Sequence, residues 1–202
     1  MMRHFLLSVC TLIFLTDSAH AGFLKEIGET TTPIGYIEMC QRDVQFCLNL
    51  HLNTTGERSP EKITYEKVNL LEKINQAVNW QIIPVTDINL YGRVEFWTLP
   101  KDNRGDCEDY ALLKMVALIK NGWPGSTLHI TVVKERGGEG HAVLAVETTD
   151  GTLILDNKNQ RIVDVDIAAE KYLFKKWSYG GSWRLLEHVS SKGISTSSIP
   201  WK

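Results

Sequence analysis

The chain has 202 residues, of which 43% are hydrophobic and 23% are charged, and its formal net charge is −2. This composition is typical of a globular protein with one ordinary core and excludes a disordered chain. The slightly negative charge comes with no cluster of basic residues, so nucleic acid is not an expected partner.

The first 21 residues have the pattern of a secretory signal peptide. Met1-Met2-Arg3-His4 leads into an apolar stretch, residues 5–16, and then into Ala19-His20-Ala21, a small-x-small cleavage pattern. The apolar stretch is too short to span a bilayer, so we expect the mature chain to begin at Gly22. No later apolar run approaches membrane length, which predicts an exported protein without stable membrane insertion, periplasmic in a Gram-negative cell.

Cysteine usage agrees with an oxidising compartment. Cys10 is lost with the signal peptide, which leaves an odd number of cysteines. Cys40 and Cys47 are close enough in sequence to form a disulfide, and their spacing is too wide for a zinc knuckle. Cys107 is then left without a partner. Cys107 is either an inert buried thiol or a reactive one, and the residues around it must distinguish the two interpretations.

The predicted elements begin with an irregular arm over residues 22–58, which is rich in Thr, Gly and Asn. Ser59-Pro60-Glu61 offers an N-cap, a proline for the first turn and an early acid, so a helix is predicted from there to about Trp80. Its apolar positions are Val68, Leu71, Ile74 and Val78. Residues 81–105 contain two prolines and two glycines, which predicts an ordered surface loop.

A second, buried helix is predicted to begin near Asp106 or Cys107 and to end at Asn121-Gly122. Between residues 110 and 119 only Lys114 interrupts the apolar and small side chains. Gly122 suits the left-handed conformation that ends many helices, and a proline follows it closely.

After this helix the hydrophobic period changes to that of strands, over residues 127–135, 141–147 and 152–156. Asp150-Gly151 predicts a hairpin between the last two. A short helix or turn at about residues 167–176, a strand over residues 180–189 and a mobile tail over residues 189–202 complete the chain. The whole predicts one α+β domain over residues 22–202, with helices packed on an antiparallel sheet.

The environment of Cys107 favours a nucleophile. A thiol in the first turn of a helix has its pKa lowered from the free value near ~8.5 by the helix dipole. Asp106, Glu108 and Asp109 oppose this effect, because negative charges raise the pKa of a thiol. A bound Ca²⁺, which prefers carboxylate oxygens, would offset them. The alternative is that acids are simply favourable in the first turn of a helix.

A base and an orienting acid follow in the chain. Of the histidines beyond the signal peptide, His141 opens a strand after a glycine-rich turn, whereas His129 fits a buried strand position. Asp156 ends the next strand. If Thr149 pairs with Thr152, Asp156 lies on the same face of the sheet as His141 but roughly 13 Å away. The hairpin register must therefore shift if the two side chains are to meet.

Cys107, His141 and Asp156 in this order are typical of nucleophilic catalysis at a carbonyl. Trp97 precedes the thiol by ten residues. Its indole could line the cleft or donate its N–H to an oxyanion, and it could equally be a core tryptophan.

These motifs resemble those of the bacterial transglutaminase-like cysteine peptidases, and among them the LapG-type periplasmic proteases. The resemblance runs from about residue 60 to 187 and is carried by "EFWTLP", "GDCEDYALLK", "GHAVLAV" and "LILDN". It implies a transglutaminase/papain-like fold and a Cys107, His141 and Asp156 triad. It also implies that Asp106 and Glu108 are linked to calcium, with Asp109 as a further ligand.

The same resemblance implies a biological role. Such a protease would cleave the N-terminal region of a large surface adhesin, release it and disperse a biofilm. Its partner would be an inner-membrane cyclic-di-GMP receptor that sequesters the protease when the nucleotide is abundant.

Three other functions fit the same residues. An acyl transferase would use the same triad with an amine as acceptor. A peptidoglycan-cleaving cysteine amidase usually has a second histidine as the orienting residue, where this chain has an aspartate. A non-enzymatic calcium-binding module is disfavoured by the triad-like order of the three residues.

Overall fold

The computed structural model describes residues 22–191. The predicted signal peptide and the tail from residue 192 onward lie outside this range. The helices described are α1 (Ile34–Arg42), α2 (Val44–Thr54), α3 (Tyr65–Gln81), α4 (Asp87–Tyr91), α5 (Cys107–Lys120) and α6 (Val165–Ala168). The strands are β1 (Phe23–Thr30), β2 (Ile83–Pro84), β3 (Arg104–Gly105), β4 (Leu128–Glu135), β5 (Gly140–Thr148), β6 (Gly151–Leu155), β7 (Val163–Asp164), β8 (Tyr172–Tyr179) and β9 (Ser182–Val189).

The main sheet has seven strands in the order β1-β9-β8-β4-β5-β6-β7, and all neighbours run antiparallel. Helix α5 packs on β5 and β4, and α3 packs against α5. One buried cluster lies between these helices and the sheet, and a second, which includes α6, covers the opposite face. None of the helices in the described part of the chain combines the length and apolar character needed to cross a membrane.

Helix α5 matches the sequence prediction at both ends. Asp106 is the N-cap, Cys107 is the first helical residue, and the chain leaves the helix at Asn121 with Gly122 at φ 81°. Its apolar side chains Leu112, Met115 and Leu118 are buried against the sheet and α3. The sequence therefore fixes the thiol at the start of a rigid, buried helix.

The prediction of an irregular arm over residues 22–58 is wrong. Strand β1 occupies an edge of the sheet, where only one of its side chains, Leu24, is buried, so its sequence lacks a clear alternation. Helices α1 and α2 follow, and Cys40 and Cys47 form a disulfide between them with 5.3 Å between the Cα atoms. Asp43 caps α2 by accepting a hydrogen bond from the N–H of Phe46.

Helix α3 begins at Tyr65, five residues later than the start at Pro60 that the sequence predicts. Thr64 is the N-cap, and its hydroxyl accepts from the N–H of Lys67. Glu61, predicted in the first turn, instead forms an isolated bridge with Thr148, because the segment lies extended beside the β5–β6 turn. The apolar positions Leu71, Ile74 and Val78 are buried as predicted.

Three further boundaries differ from the sequence prediction. The loop over residues 81–105 contains β2, α4 and β3. The helix expected over residues 167–176 is limited to α6. Tyr172 and Phe174 are buried, and they alternate with less buried side chains. This alternation has the period of two of a β-strand, and the segment forms β8. Val189 is the last residue of β9 and not the start of a tail.

Candidate active site

The thiol of Cys107 lies at the wall of a cavity of about 440 Å³. His141, at the start of β5, lines the same cavity, together with Trp97, Glu108 and Lys176. Helix α5 supplies the thiol and the sheet supplies the imidazole, so two rigid elements meet at the cavity. This arrangement brings together the two residues that the sequence predicted as nucleophile and base.

The hairpin register explains how Asp156 reaches His141. The loop is Thr149-Asp150, and Thr152 pairs with Glu147 instead of Thr149. The register is therefore shifted by two residues toward His141, which keeps the side-chain parity and shortens the gap that the sequence prediction left. The Nε2–H of His141 donates to Oδ1 of Asp156 over 2.9 Å.

The carboxylate of Asp156 is fully hydrogen-bonded. Oδ1 also accepts from the N–H of Lys158 at 2.9 Å, and Oδ2 accepts from the hydroxyl of Tyr172 at 2.7 Å. Burial by itself raises the pKa of Asp156, but the hydrogen bonds from His141, Tyr172 and Lys158 outweigh burial and lower that pKa. Asp156 is thus an ionised partner for the imidazole, and Nδ1 of the ring takes no part in this hydrogen bond.

An acidic group lies on the other side of the thiol. Asp87, Asp106 and Glu108 each place a carboxylate oxygen within 4.8 Å of the others. The short parallel pairing of β2 with β3 brings the start of α4 beside the start of α5, and the N–H of Asp87 donates to Oδ2 of Asp106. Sequence reasoning missed Asp87, because no local motif marks it and the pairing joins segments about twenty residues apart.

The acidic group has too few hydrogen-bond donors for its charge. Oδ1 of Asp87 and Oδ1 of Asp106 are buried without a hydrogen-bond partner among the described residues. Burial, with the charge of Asp106, raises the pKa of Asp87 to about 6 and that of Glu108 to about 10. Closely spaced carboxylate oxygens that lack donors are what a hard cation such as Ca²⁺ requires, so these three residues fit a calcium site.

Asp109, predicted as a further calcium ligand, lies outside this group. Its Oδ1 accepts from the N–H of Thr98 at 2.9 Å, and its carboxylate lies so close to Gly105 that a Cβ there would be 2.4 Å from Oδ2. On a helix, Asp109 points about 100° away from Glu108, which directs it to the loop before α5. Burial raises its pKa to about 8.

The thiol interacts directly with the acidic group. Sγ of Cys107 donates to Oε2 of Glu108 at 3.1 Å. Burial, followed by the charges of Glu108 and Asp106, raises the pKa of Cys107 well above its ordinary value, while a hydrogen bond from the N–H of Ala142 lowers it slightly. Burial and the neighbouring carboxylates therefore oppose the effect of the helix dipole on this thiol.

Trp97 lines the cavity, but its indole N–H is not directed at an oxyanion. Nε1 donates to Oε2 of Glu95 at 2.9 Å, and the ring packs edge-on against Tyr36 and Trp183. A Cβ at Gly35 would be 2.4 Å from the ring, so α1 can approach it only with glycine there. Trp97 thus both lines the cavity and belongs to the buried core cluster, and its indole N–H is donated to Glu95.

The disulfide-linked helices support this side of the cavity. The guanidinium of Arg42, between the two cysteines, donates from Nη2 to the carbonyl of Trp97 at 2.8 Å and lies 3.7 Å from the centroid of the Phe96 ring. Cys40 and Cys47 line a different cavity from that of Cys107. Their link holds the residue that anchors the Trp97 segment.

The buried strand position predicted for His129 is found. Its ring is fully buried, stacks on Trp177 with 4.1 Å between centroids, and contacts the carbonyl of Ser178 and the carboxylate of Glu147. It does not line the cavity of the thiol. His141 is therefore the histidine that the fold gives to Cys107.

Comparison with known proteins gives a family. The sequence profile of the family described as bacterial transglutaminase-like cysteine proteinase matches residues 26–190. A search of curated proteins found no match.

Solved structures of a Legionella pneumophila protein, LapG, share the fold. The calcium-bound form has 27% sequence identity and a TM-score of 0.53, covering 75% of this chain and 80% of that one. The EGTA-treated form has 25% identity and a TM-score of 0.52, covering 74% of this chain and 77% of that one. The predicted α+β, transglutaminase-like fold is therefore confirmed.

Proposed function

This chain belongs to the bacterial transglutaminase-like cysteine proteinases, and from that membership we propose that it is a calcium-dependent periplasmic cysteine endopeptidase. The observation that carries the proposal is the cavity shared by Cys107 and His141, with His141 hydrogen-bonded to Asp156. Cys107 is the nucleophile, His141 the general base and acid, and Asp156 the orienting acid.

The geometry supports a two-step hydrolysis. As Sγ of Cys107 bonds to the carbonyl carbon of the substrate, its proton passes to Nδ1 of His141, and Asp156 stabilises the resulting imidazolium through Nε2. The C–N bond then breaks, and His141 gives the proton to the departing amine. A water molecule next attacks the thioester and gives its proton to His141, which returns it to the sulfur as the acid product leaves.

Calcium dependence follows from the acidic group of Asp87, Asp106 and Glu108. A divalent cation held by these three carboxylates would supply positive charge next to the thiol and shield it from them. Glu108 joins the two parts of the site, because it accepts from the thiol and also belongs to the acidic group. The existence of a calcium-bound LapG structure supports this proposal.

We extend the proposal to substrate and control. The motifs shared with LapG-type proteases support cleavage of the N-terminal region of a large surface adhesin, which would release the adhesin and promote biofilm dispersal. They equally support regulation by an inner-membrane cyclic-di-GMP receptor that sequesters the enzyme. The signal-peptide pattern of residues 1–21 supports a periplasmic location for this protein, where it would meet its substrate and its receptor.

The test is a cleavage assay with purified residues 22–202 and the N-terminal segment of a candidate adhesin from the same genome. We expect cleavage with calcium, none with excess EGTA, and none by Cys107→Ala. Glu108→Gln should lose activity, whereas Glu170→Gln, an exposed control, should keep it.

Mass spectrometry of the products separates hydrolysis from acyl transfer. A new free carboxyl terminus supports the peptidase, and a product joined to an added amine supports the acyl transferase. Calcium binding without either product would contradict the enzymatic proposal for this substrate.

A further inference from the structure

The two oxygens of the Asp156 carboxylate have separate partners. Oδ1 faces His141 and the N–H of Lys158, and Oδ2 faces the hydroxyl of Tyr172 at 2.7 Å. Tyr172 is buried, and its ring centroid is 5.4 Å from that of His141. One side chain therefore contacts both the acid and the base of the site.

The position of Tyr172 in the sheet makes this contact non-local. Strand β4 separates β8 from β5, and Tyr172 pairs with Glu135 at the last position of β4. From there its side chain reaches Asp156, which directly follows β6. It belongs to the buried cluster on the face away from α5, so Tyr172 approaches Asp156 from the face opposite the helix that carries the thiol.

A carboxylate without such a partner would not stay in one orientation. Its two oxygens are chemically equivalent, and rotation about the last side-chain bond would exchange them at His141. A buried acceptor also needs a donor to offset its lost hydration. The Tyr172 hydroxyl provides both: it satisfies Oδ2 and leaves Oδ1 as the oxygen that faces the imidazole.

We propose that Tyr172 is a positioning residue of the catalytic site, which holds Asp156 and the ring of His141 in the geometry required for proton transfer. The proposal rests on the proposed function of the triad. Tyr172 acts through Asp156 and does not itself meet the substrate, because its hydroxyl is directed at the carboxylate.

The other charged groups around Asp156 do not replace this contact. Lys158 uses its backbone N–H on Oδ1, while its ammonium pairs with Glu135 of β4. Lys114, from α5, is fully buried, and its Nζ has no hydrogen-bond partner among the described residues. Burial lowers the pKa of Lys114 to about 7, against the opposing charge of Asp156.

Tyr172→Phe tests the proposal, because it keeps the ring and removes the hydroxyl. Tyr179→Phe is the matched control: Tyr179 ends the same strand, and its hydroxyl donates to the carbonyl of Gly56 at 2.8 Å. Thermal unfolding of both variants and of the wild type checks that each is folded.

The first readout is NMR of protein labelled with ¹⁵N-histidine, which detects the Nε2–H of His141 without any substrate. We expect this proton to exchange with water roughly tenfold faster in Tyr172→Phe than in the wild type, since a hydrogen bond to a charged group is lost. Tyr179→Phe should match the wild type. Equal exchange in all three proteins would overturn the proposal.

The second readout is peptide cleavage. We expect kcat to fall roughly tenfold in Tyr172→Phe with KM unchanged, because orientation of the base is lost and substrate contacts are kept. An unchanged kcat would overturn the proposal, as would an equal fall in Tyr179→Phe. If the wild type cleaves no peptide, the proposed function fails, and the NMR comparison still decides whether Tyr172 positions His141.

Discussion

The carboxylate of Asp156 and the acidic group of Asp87, Asp106 and Glu108 differ in how the protein satisfies them. Asp156 has three hydrogen-bond donors, and its pKa is lowered. Asp87 and Glu108 have few donors, and their pKa values are raised to about 6 and about 10. The hydrogen bonds of the protein itself satisfy Asp156, whereas the acidic group is the one that the proposed cation would complete. In the proposed mechanism Asp156 orients the base, and the acidic group controls the thiol.

The largest expected effect comes from removing the charge of Asp156. In Asp156→Asn the amide can donate to Nε2 of His141, which places the remaining ring proton on Nδ1, where it blocks transfer from the thiol. We expect kcat for peptide hydrolysis to fall about 10³-fold or more.

Asp164→Asn is the matched control, because Asp164 only caps α6 and an asparagine can do the same. It should retain wild-type kcat, measured in the same assay. A fall of less than tenfold in the kcat of Asp156→Asn would contradict the role of Asp156 in orienting the base.

The next largest effect tests which carboxylates belong to the acidic group. Asp87→Asn removes one of the three clustered carboxylates, and we expect calcium affinity to fall about tenfold or more, because ligand charge sets affinity. Asp109→Asn keeps an oxygen that can accept from Thr98 and lies outside the group, so its affinity should stay within about twofold of the wild type.

Isothermal titration calorimetry on chelator-stripped proteins measures both affinities. An equal loss of calcium affinity in the two variants would mean that Asp109 is a calcium ligand, as the sequence predicted. The contact between Asp109 and Gly105 would then have to change when calcium binds.

The smallest effect is a pH dependence of stability in EGTA. Asp87 and Glu108 have pKa values above those of the unfolded chain, so the folded protein binds more protons between the unfolded and folded values. Stability must then fall as pH rises through that window. We expect Tm in EGTA to be about 2–4 °C lower at pH 8 than at pH 5.5.

Differential scanning calorimetry at both pH values, with and without calcium, measures this difference. Calcium should remove it, and Glu108→Gln should reduce it in EGTA. A difference between the two pH values that is the same in Glu108→Gln as in the wild type would show that the acidic group does not cause it.

Local sequence signals predicted one side of this comparison better than the other. Cys107 follows a capping residue and starts an apolar run. His141 lies in the first strand of one hairpin, and Asp156 directly follows the second strand. Short-range patterns were enough to place them in order. The register was two residues off, because the hairpin signal of Asp150-Gly151 does not specify which residues form the loop.

Long-range pairing explains what the sequence did not show. Asp87 joins the acidic group through β2 and β3, which have two residues each, too short for a periodic pattern. The sequence pattern placed Tyr172 in a short helix or turn, so its contact with Asp156 could not be predicted. Strand β1 was missed because its partner β9 lies at the other end of the described chain.

The pairing of β1 with β9 also sets the order in which the domain can fold. Strands β4, β5 and β6 are joined by short turns, so the hairpins that carry His141 and Asp156 can form from local contacts alone. Strand β1 cannot complete its pairing until the chain as far as Val189 is available. In a chain threaded N-terminus first across a membrane, we therefore expect the first strand to emerge early and remain unpaired until translocation is nearly finished.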